Sequence, residues 1–345
     1  MKRLLQLIAI SLFVASCSST STLTLSVPQP SNVYLSKEVK NVGIINRSVP
    51  NVKYNKLDAI DKILTAEEKN LDINAANESI LGLQSALKEN KRFENVLVID
   101  SLLLKDYGID IFSPELKQEE IEKLCAQNNL DAIYELSFYD TDALVSYKTT
   151  NDMLPNSFGI KIPTLVHHVT INTMIKSGWR IYDNVSKKLS DQYSRNDKVV
   201  VSGSGINPIK AYETIKNRKN EVYRISKKIG QNYAYEIVPY TIRESRLYFV
   251  KGNSNFEKAQ RRAQTGDWNG AGELWKIETT NADSKLAGRA YYNMAIISEI
   301  NGNLDEALNW ASQSYSDYGI KEALQYTRIL KSRIQKKQIL EAEKL

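Results

Sequence analysis

A short phrase occurs twice in the last third of the chain. Gly266-Asp267-Trp268 followed by Ala271 returns as Gly302-Asn303-Leu304 followed by Ala307, 36 residues on. Recurrence at this spacing means one supersecondary unit per copy, each too small to bury its apolar face alone, so the copies must stack. The glycines suit tight turns between helices, and the alanines let two helix backbones approach. In the second copy Asn293, Met294, Ala295, Gly302, Ala307 and Ala311 take the small and apolar positions where antiparallel helices press together. Two copies fall short of the roughly three needed for independent stability. A helix from Ile320 to Ile334, striped by Ala323, Tyr326, Leu330 and Ile334, is expected to cap one end. The preceding domain is expected to support the other.

Upstream the grammar is different. Val39 to Asn46 reads as a strand and Asn74 to Leu87 as a helix, with Ala76, Ile80, Leu83 and Leu87 on one stripe. Phe93 to Ile99 reads as a strand, Ser113 as the cap of a helix from Pro114 to Asn128, and Leu130 to Tyr139 as a third strand. Strands alternating with helices imply a parallel βαβαβ arrangement. After Pro163 the pattern turns to alternation. Leu165 to Ile175, a turn at Ser177-Gly178, Trp179 to Tyr182, a turn at Asp183-Asn184, and Lys188 to Ser194 predict an antiparallel meander on the same sheet. Asn207 and Pro208 cap a long helix to Tyr233, and a strand from Tyr240 to Val250 closes the domain.

The repeat pair resembles tetratricopeptide repeats, whose period is about 34 residues, lengthened here between Asn281 and Ala287 and degenerate in the first copy at Lys258. The expected fold is therefore α/β, with a mixed sheet of parallel βαβαβ plus antiparallel meander, followed by an all-α tetratricopeptide-like helical hairpin domain. The resemblance places groove-facing positions at Phe256, Gln260, Ala263, Arg289, Tyr292, Ile296 and Glu299. Phe256, Gln260, Arg289, Tyr292, Ile296 and Glu299 are the expected partner-binding residues. The alternative is that these positions pack against the α/β domain.

The first residues have the order of a secretory signal: Lys2 and Arg3, an apolar stretch from Leu4 to Val14, then Val14-Ala15-Ser16-Cys17. Small residues before a cysteine resemble the lipobox of bacterial lipoproteins, which implies an acylated Cys17. The apolar stretch is shorter than the roughly 20 residues a membrane-spanning helix needs. Expected boundaries are residues 1–16 for the signal, 17–36 for a flexible tether, 37–251 for the α/β domain and 252–345 for the helical domain. With its Trp179-Arg180-Ile181-Tyr182-Asp183 strand, the layout resembles a domain-of-unknown-function family of bacterial envelope lipoproteins. In layout the amino-terminal half is also similar to the α/β domains of curli-secretion lipoproteins and cell-wall synthase activators. The resemblance implies lipid anchoring in the cell envelope. The lack of an acidic cluster after Cys17 points to the outer membrane and its periplasmic face.

Chemistry-bearing residues are few. His167 and His168 are the only histidines, and adjacent strand residues point to opposite faces, so they cannot share a metal. Ser202-Gly203-Ser204-Gly205 reads as a connecting turn, because Pro208 stands where a dinucleotide fingerprint needs glycine and no P-loop lysine follows. Strand parity puts Asp140 and Asp142 on one face and Glu135 on the other. Cys125 reads as a buried structural thiol. A formal charge of +6 is mild and diffuse and argues against a nucleic-acid binder, with Lys216, Arg218, Lys219, Arg224, Lys227 and Lys228 on one helix and Arg328, Lys331, Arg333, Lys336 and Lys337 on another read as solvated faces. No cofactor and no metal are expected, and no enzymatic activity. The expected function is that of an envelope adaptor docking a protein partner through the repeats. Alternatives are a subunit of an oligomeric secretion or assembly complex, and a cell-wall or glycan hydrolase using Asp140 and Asp142. The oligomeric state is not set by the sequence.

Overall fold

A computed structural model describes residues 19–48, 59–99, 112–155 and 157–344. In chain order these form β1 (Thr20–Gln29), β2 (Asn41–Asn46), α1 (Ala59–Glu89), β3 (Asn95–Val98), α2 (Gln118–Asn128), β4 (Ala132–Pro155), β5 (Lys161–Asp183), β6 (Lys188–Gly205), α3 (Pro208–Glu213), α4 (Arg218–Ala234) and β7 (Tyr240–Phe249). Five helices follow: α5 (Ser254–Gln264), α6 (Trp268–Glu278), α7 (Ser284–Ile300), α8 (Leu304–Ser316) and α9 (Lys321–Lys344). The chain divides into two compact units, Ser31–Val238 and a second that joins the residues up to Pro30 to those from Pro239 onward.

The unit Ser31–Val238 is built on a mixed sheet of order β3-β2-β4-β5-β6. β2 runs parallel to β3 and β4, and β4, β5 and β6 are antiparallel. Both faces of the parallel part are covered, which is why Val42, Ile44 and Ile45 form a continuous buried run. On one face Ile44, Leu83, Tyr134, Trp179, Ile229 and Tyr233 share a core with α1 and α4. On the other, Ile45, Ile121, Cys125, Ile133 and Tyr182 meet α2. Each such side chain contributes about 1.5–3 kcal/mol by leaving water. Tyr233 organises the larger core: its ring stacks on Trp179 at 5.2 Å and Tyr193 at 5.7 Å, and its hydroxyl donates to Asp191 at 2.7 Å. α1 and α4 cross at backbone contact. A Cβ on Gly230 would lie 1.9 Å from the Ser79 carbonyl oxygen, and the Ser79 hydroxyl donates to the Ser226 carbonyl at 2.9 Å.

Several local expectations change in this unit. α2 starts at Gln118, not Pro114, because the Ser113 hydroxyl donates to the Ser137 carbonyl (2.9 Å) and so holds Ser113 beside β4. Ser177-Gly178 is no turn: β5 runs through it, and glycine is required there because a Cβ would strike the Phe112 ring at 2.6 Å. The Asp183-Asn184 turn forms, with the Asp183 carboxylate accepting from the backbone of Val185 and Ser186. The helix expected from Asn207 to Tyr233 is two, α3 and α4, broken where Asn217 adopts a left-handed φ of 67°. Asn207 caps α3 by accepting from the Lys210 backbone N–H at 2.8 Å.

In the other unit β1 and β7 form an antiparallel ribbon from Thr20↔Phe249 to Gln29↔Tyr240. Residues 20–29 are thus a strand where the sequence reading has a flexible tether, and β7 pairs with β1 instead of closing the five-stranded sheet. The reason is a period-two pattern among the threonines: Leu23 and Val27 are buried and Leu25 half-buried, with Thr22, Thr24 and Ser26 exposed between them. α5 packs on α6, α6 on α7, α7 on α8 and α8 on α9. Gly266 and Gly302, 36 residues apart, occupy equivalent turns with φ of 86° and 79°, the left-handed backbone that favours glycine. Ala271 and Ala307 are fully buried at the helix crossings.

Candidate functional site

The face expected to bind a partner is occupied by β7. Phe256, Tyr292, Ile296 and Glu299 are buried, whereas Gln260 and Arg289 are half-buried. The Asn293 amide accepts from the Phe249 N–H at 2.8 Å and donates to the Phe249 carbonyl at 2.7 Å. Tyr292 meets the Phe249 ring edge to face at 5.3 Å, and the Arg289 guanidinium lies 5.0 Å over it while donating to the Lys251 carbonyl. The groove is therefore filled by β7, a strand that the alternative expectation counts within the α/β domain but that belongs to the helical unit itself.

Glu299 is the hub of this packing. Its side chain is wholly buried and accepts from Arg246 (3.1 Å), from Arg333 and from the Tyr326 hydroxyl (2.6 Å). Burial, with Glu299 beside it, pushes the Tyr326 hydroxyl well above its ordinary range. Arg246 also donates to Glu244 at 2.9 Å.

These arginines floor an open cleft between β1 and α9. One cavity of about 320 Å³ is lined by Gln29, Arg246, Arg328, Ser332, Arg333 and Lys336, among others. A second, of about 360 Å³, shares Arg333 and adds Ser26, Pro28, Leu340, Lys337 and Glu341. Around the first cavity stand four cations and Glu244; with Glu299 beneath, cations exceed carboxylates by two (4 − 2). Arg328, Ser332 and Lys336 recur every four residues on α9 and so form a row along one side of the cleft. Lys336 donates to the Gln29 side chain at 2.6 Å, which holds its ammonium at the cleft wall. The cleft can take an extended anionic segment, with apolar contacts from Val27, Ile329 and Leu340. Sequence reading placed Arg328, Arg333, Lys336 and Lys337 on a solvated face. It missed Ser26, Gln29 and Arg246, whose place depends on a pairing between strands more than two hundred residues apart.

The other candidates are tied into the fold. Glu135, wholly buried, lies 3.0 Å from Arg47 and 3.8 Å from Arg180, and Arg180 also donates to the Ser113 carbonyl at 2.6 Å. A bulge between Leu136 and Phe138 resets the strand parity. Glu135 stands opposite Arg180, Asp140 opposite Lys176 and Asp142 opposite Met174, so all three share a face, against the sequence expectation that Glu135 faces away from the other two. Asp142 is ion-paired with Lys176 at 2.7 Å. Ser202 to Gly205 are not a turn but the end of β6, where a Cβ on Gly203 would lie 2.2 Å from the Ala211 carbonyl of α3. His168 lies 2.8 Å from the Thr150 hydroxyl and 3.9 Å from Asp152, and His167 is half-buried. Cys125 is buried, and burial pushes its thiol up to about 11. Cys17 lies outside the described residues, as does the stretch expected to be a signal and lipobox.

Residues 39–249 match the family Domain of unknown function (DUF8603), and residues 257–332 match Domain of unknown function (DUF6340). No curated protein matches the sequence. Among solved structures, the chain is similar to the PelC dodecamer from Paraburkholderia phytofirmans, at 6% identity over 63% of this chain and 98% of that one, with a TM-score of 0.22. It is also similar to a neuraminyllactose-binding hemagglutinin homolog from Helicobacter pylori, at 12% identity over 61% and 95%, with a TM-score of 0.25. At such TM-scores neither likeness bears on the fold or the function.

Proposed function

Since this chain belongs to the family Domain of unknown function (DUF8603), whose description assigns no activity, we propose from its geometry that it is a lipid-anchored adaptor of the bacterial cell envelope whose helical unit docks an acidic segment of a partner protein in the cleft beside α9. The observation that carries the reading is the division of labour in that unit. β7 fills the inner face of the helices, while around the first cavity of the open cleft four cations face two carboxylates, Glu244 and the Glu299 beneath. Rows of basic side chains beside apolar ones recognise acidic peptides, and such contacts weaken as salt screens them.

In this reading α5/α6 and α7/α8 are a tetratricopeptide-like pair, supported by the 36-residue recurrence and its matching glycine turns. α9 caps one end, and the β1/β7 ribbon supplies the support two repeats lack. Acylation of Cys17, supported by the lipobox, would anchor the chain, with the periplasmic face of the outer membrane the favoured site. β1 begins at Thr20, and three residues of chain reach about 11 Å at most. The anchor would then hold the helical unit close to the membrane. The reading assigns no catalytic role, because the nucleophile and carboxylate candidates are engaged: Cys125 is buried and Asp142 is ion-paired.

The test is binding of a fluorescent acidic peptide to the chain and to an Arg328→Glu, Lys336→Glu variant. We expect salt-sensitive binding to the parent and a loss of at least tenfold in the variant. Equal binding by both would overturn the assignment of the cleft.

A further inference from the structure

The hairpin of β4 and β5 runs on past the rest of its sheet. The last pair between β5 and β6 is His167↔Gly205, whereas β5 continues with β4 to Lys161↔Pro155. Among the described residues, Thr150–Pro155 and Lys161–Val166 thus have only each other as ladder partners, a ribbon about 20 Å long at roughly 3.4 Å per residue. A two-stranded ribbon by itself is marginal in water.

Its end is apolar on both faces. Met153, Phe158, Ile160, Ile162 and Leu165 are exposed, Phe158 by 85%. Met153 stands opposite Pro163, and Leu165 follows two residues on, so Met153 and Leu165 share one face. Ile162, one residue from Pro163, projects from the other. The interfacial layer of a bilayer surrounds a ribbon and can bury apolar side chains on both of its faces at once. Lys161, exposed, stands at the apolar end, and the one carboxylate of the ribbon, Asp152, accepts from the Thr150 hydroxyl at 3.0 Å. A lysine beside an apolar tip complements anionic headgroups.

We propose that Met153, Phe158, Ile160, Ile162 and Leu165 form a membrane-insertion tip that enters the interfacial layer of an anionic bilayer. The tip is separate from the cleft and from Cys17, and it would act in a chain with or without an acyl anchor. Its chemistry is that of a short wedge: the apolar end is far too short to span a bilayer and long enough to sit among headgroups and upper acyl chains.

The test uses the full chain carrying Phe158→Cys, labelled with nitrobenzoxadiazole. A second chain carries the label at Val185→Cys, an exposed position in the β5–β6 turn. Cys125 is buried, and the unsubstituted chain treated alike gives the background labelling. With vesicles of phosphatidylethanolamine and phosphatidylglycerol, we expect the label at 158 to brighten several-fold, shift to the blue and be quenched by doxyl-labelled lipid, with the label at 185 unchanged. Phe158→Asp with Ile160→Asp should abolish the same response of a label at Ile162→Cys. Circular dichroism of that variant should match the parent, since the tip is outside the core. The proposal is overturned if the label at 158 stays aqueous while the chain floats with vesicles, the pattern of an acyl anchor alone. It is overturned equally if the label shifts without vesicles in a concentration-dependent way, which would make the occupant a second copy.

Discussion

Replacing Glu299 by glutamine keeps the volume of the side chain and removes its charge from between Arg246 and Arg333. The Glu299 side chain is wholly buried, with Arg246 4% and Arg333 16% exposed, so solvent screening of the pair is weak. Removing one partner of a buried pair costs about 3–5 kcal/mol, because the charge left behind is neither hydrated nor paired. Arg246 keeps Glu244 at 2.9 Å, and the Tyr326 hydroxyl keeps the Ala295 carbonyl at 3.4 Å, which places the expected loss at the lower end, about 3 kcal/mol. Urea unfolding followed by circular dichroism should show the midpoint of the helical unit fall by roughly 1–2 M. A second variant, Glu299→Leu with Arg246→Met and Arg333→Met, should recover most of that loss, since apolar groups of similar volume remove the desolvation cost together with the attraction. A cost under about 1 kcal/mol for Glu299→Gln, or a triple variant no better than the single one, would refute the reasoning.

Tyr292→Ala should destabilise the chain by about 3–5 kcal/mol, at least as much as Ala307→Leu, because Tyr292 packs between Phe249 and Tyr326; a midpoint within error of the parent would mean that β7 leaves the groove open in solution. Gly230→Ala should cost about 3 kcal/mol by forcing α4 off the Ser79 carbonyl, and proteolysis of the variant at native temperature checks it. Burial raises the Cys125 thiol from 9.0 to about 11, so its contribution to stability is fully present below pH 9 and is lost as pH rises toward 11; alkylation at pH 8 should be slow in the folded chain and fast in urea. Cys17→Ala should abolish acyl labelling and strip the chain of its anchor, read by fractionation and metabolic labelling.

Much of the architecture was legible because periodicity reports burial. The stripe of Ala76, Ile80, Leu83 and Leu87 marked the second half of α1, whose first turns from Ala59 went unread, and the recurrence at 36 residues marked the turns at Gly266 and Gly302. Local signals misled where tertiary packing used the same residues for another purpose. Gly178, Gly203 and Gly205 read as turn residues but are strand positions kept small for Phe112 and α3. The bulge after Leu136 inverted the parity between Glu135 and the residues downstream of it, and no local residue type announces such an insertion. The site suffered most. Arg246 reaches Glu299 because β7 packs on α7, a contact without local grammar, and the same packing turned six expected recognition residues into a packed interior with two half-buried members at its rim.

The claim that the cleft beside α9 is the docking surface is tested most directly by a photo-crosslinking amino acid at Ser332, introduced into the full chain in intact cells. The expected result is one discrete adduct whose attached protein is crosslinked through an acidic segment, absent when Arg328→Glu and Lys336→Glu are added, and absent when the crosslinker is moved to the exposed Ile277 of α6. An adduct that persists through the charge reversal, or that forms from Ile277 and not from Ser332, would contradict it.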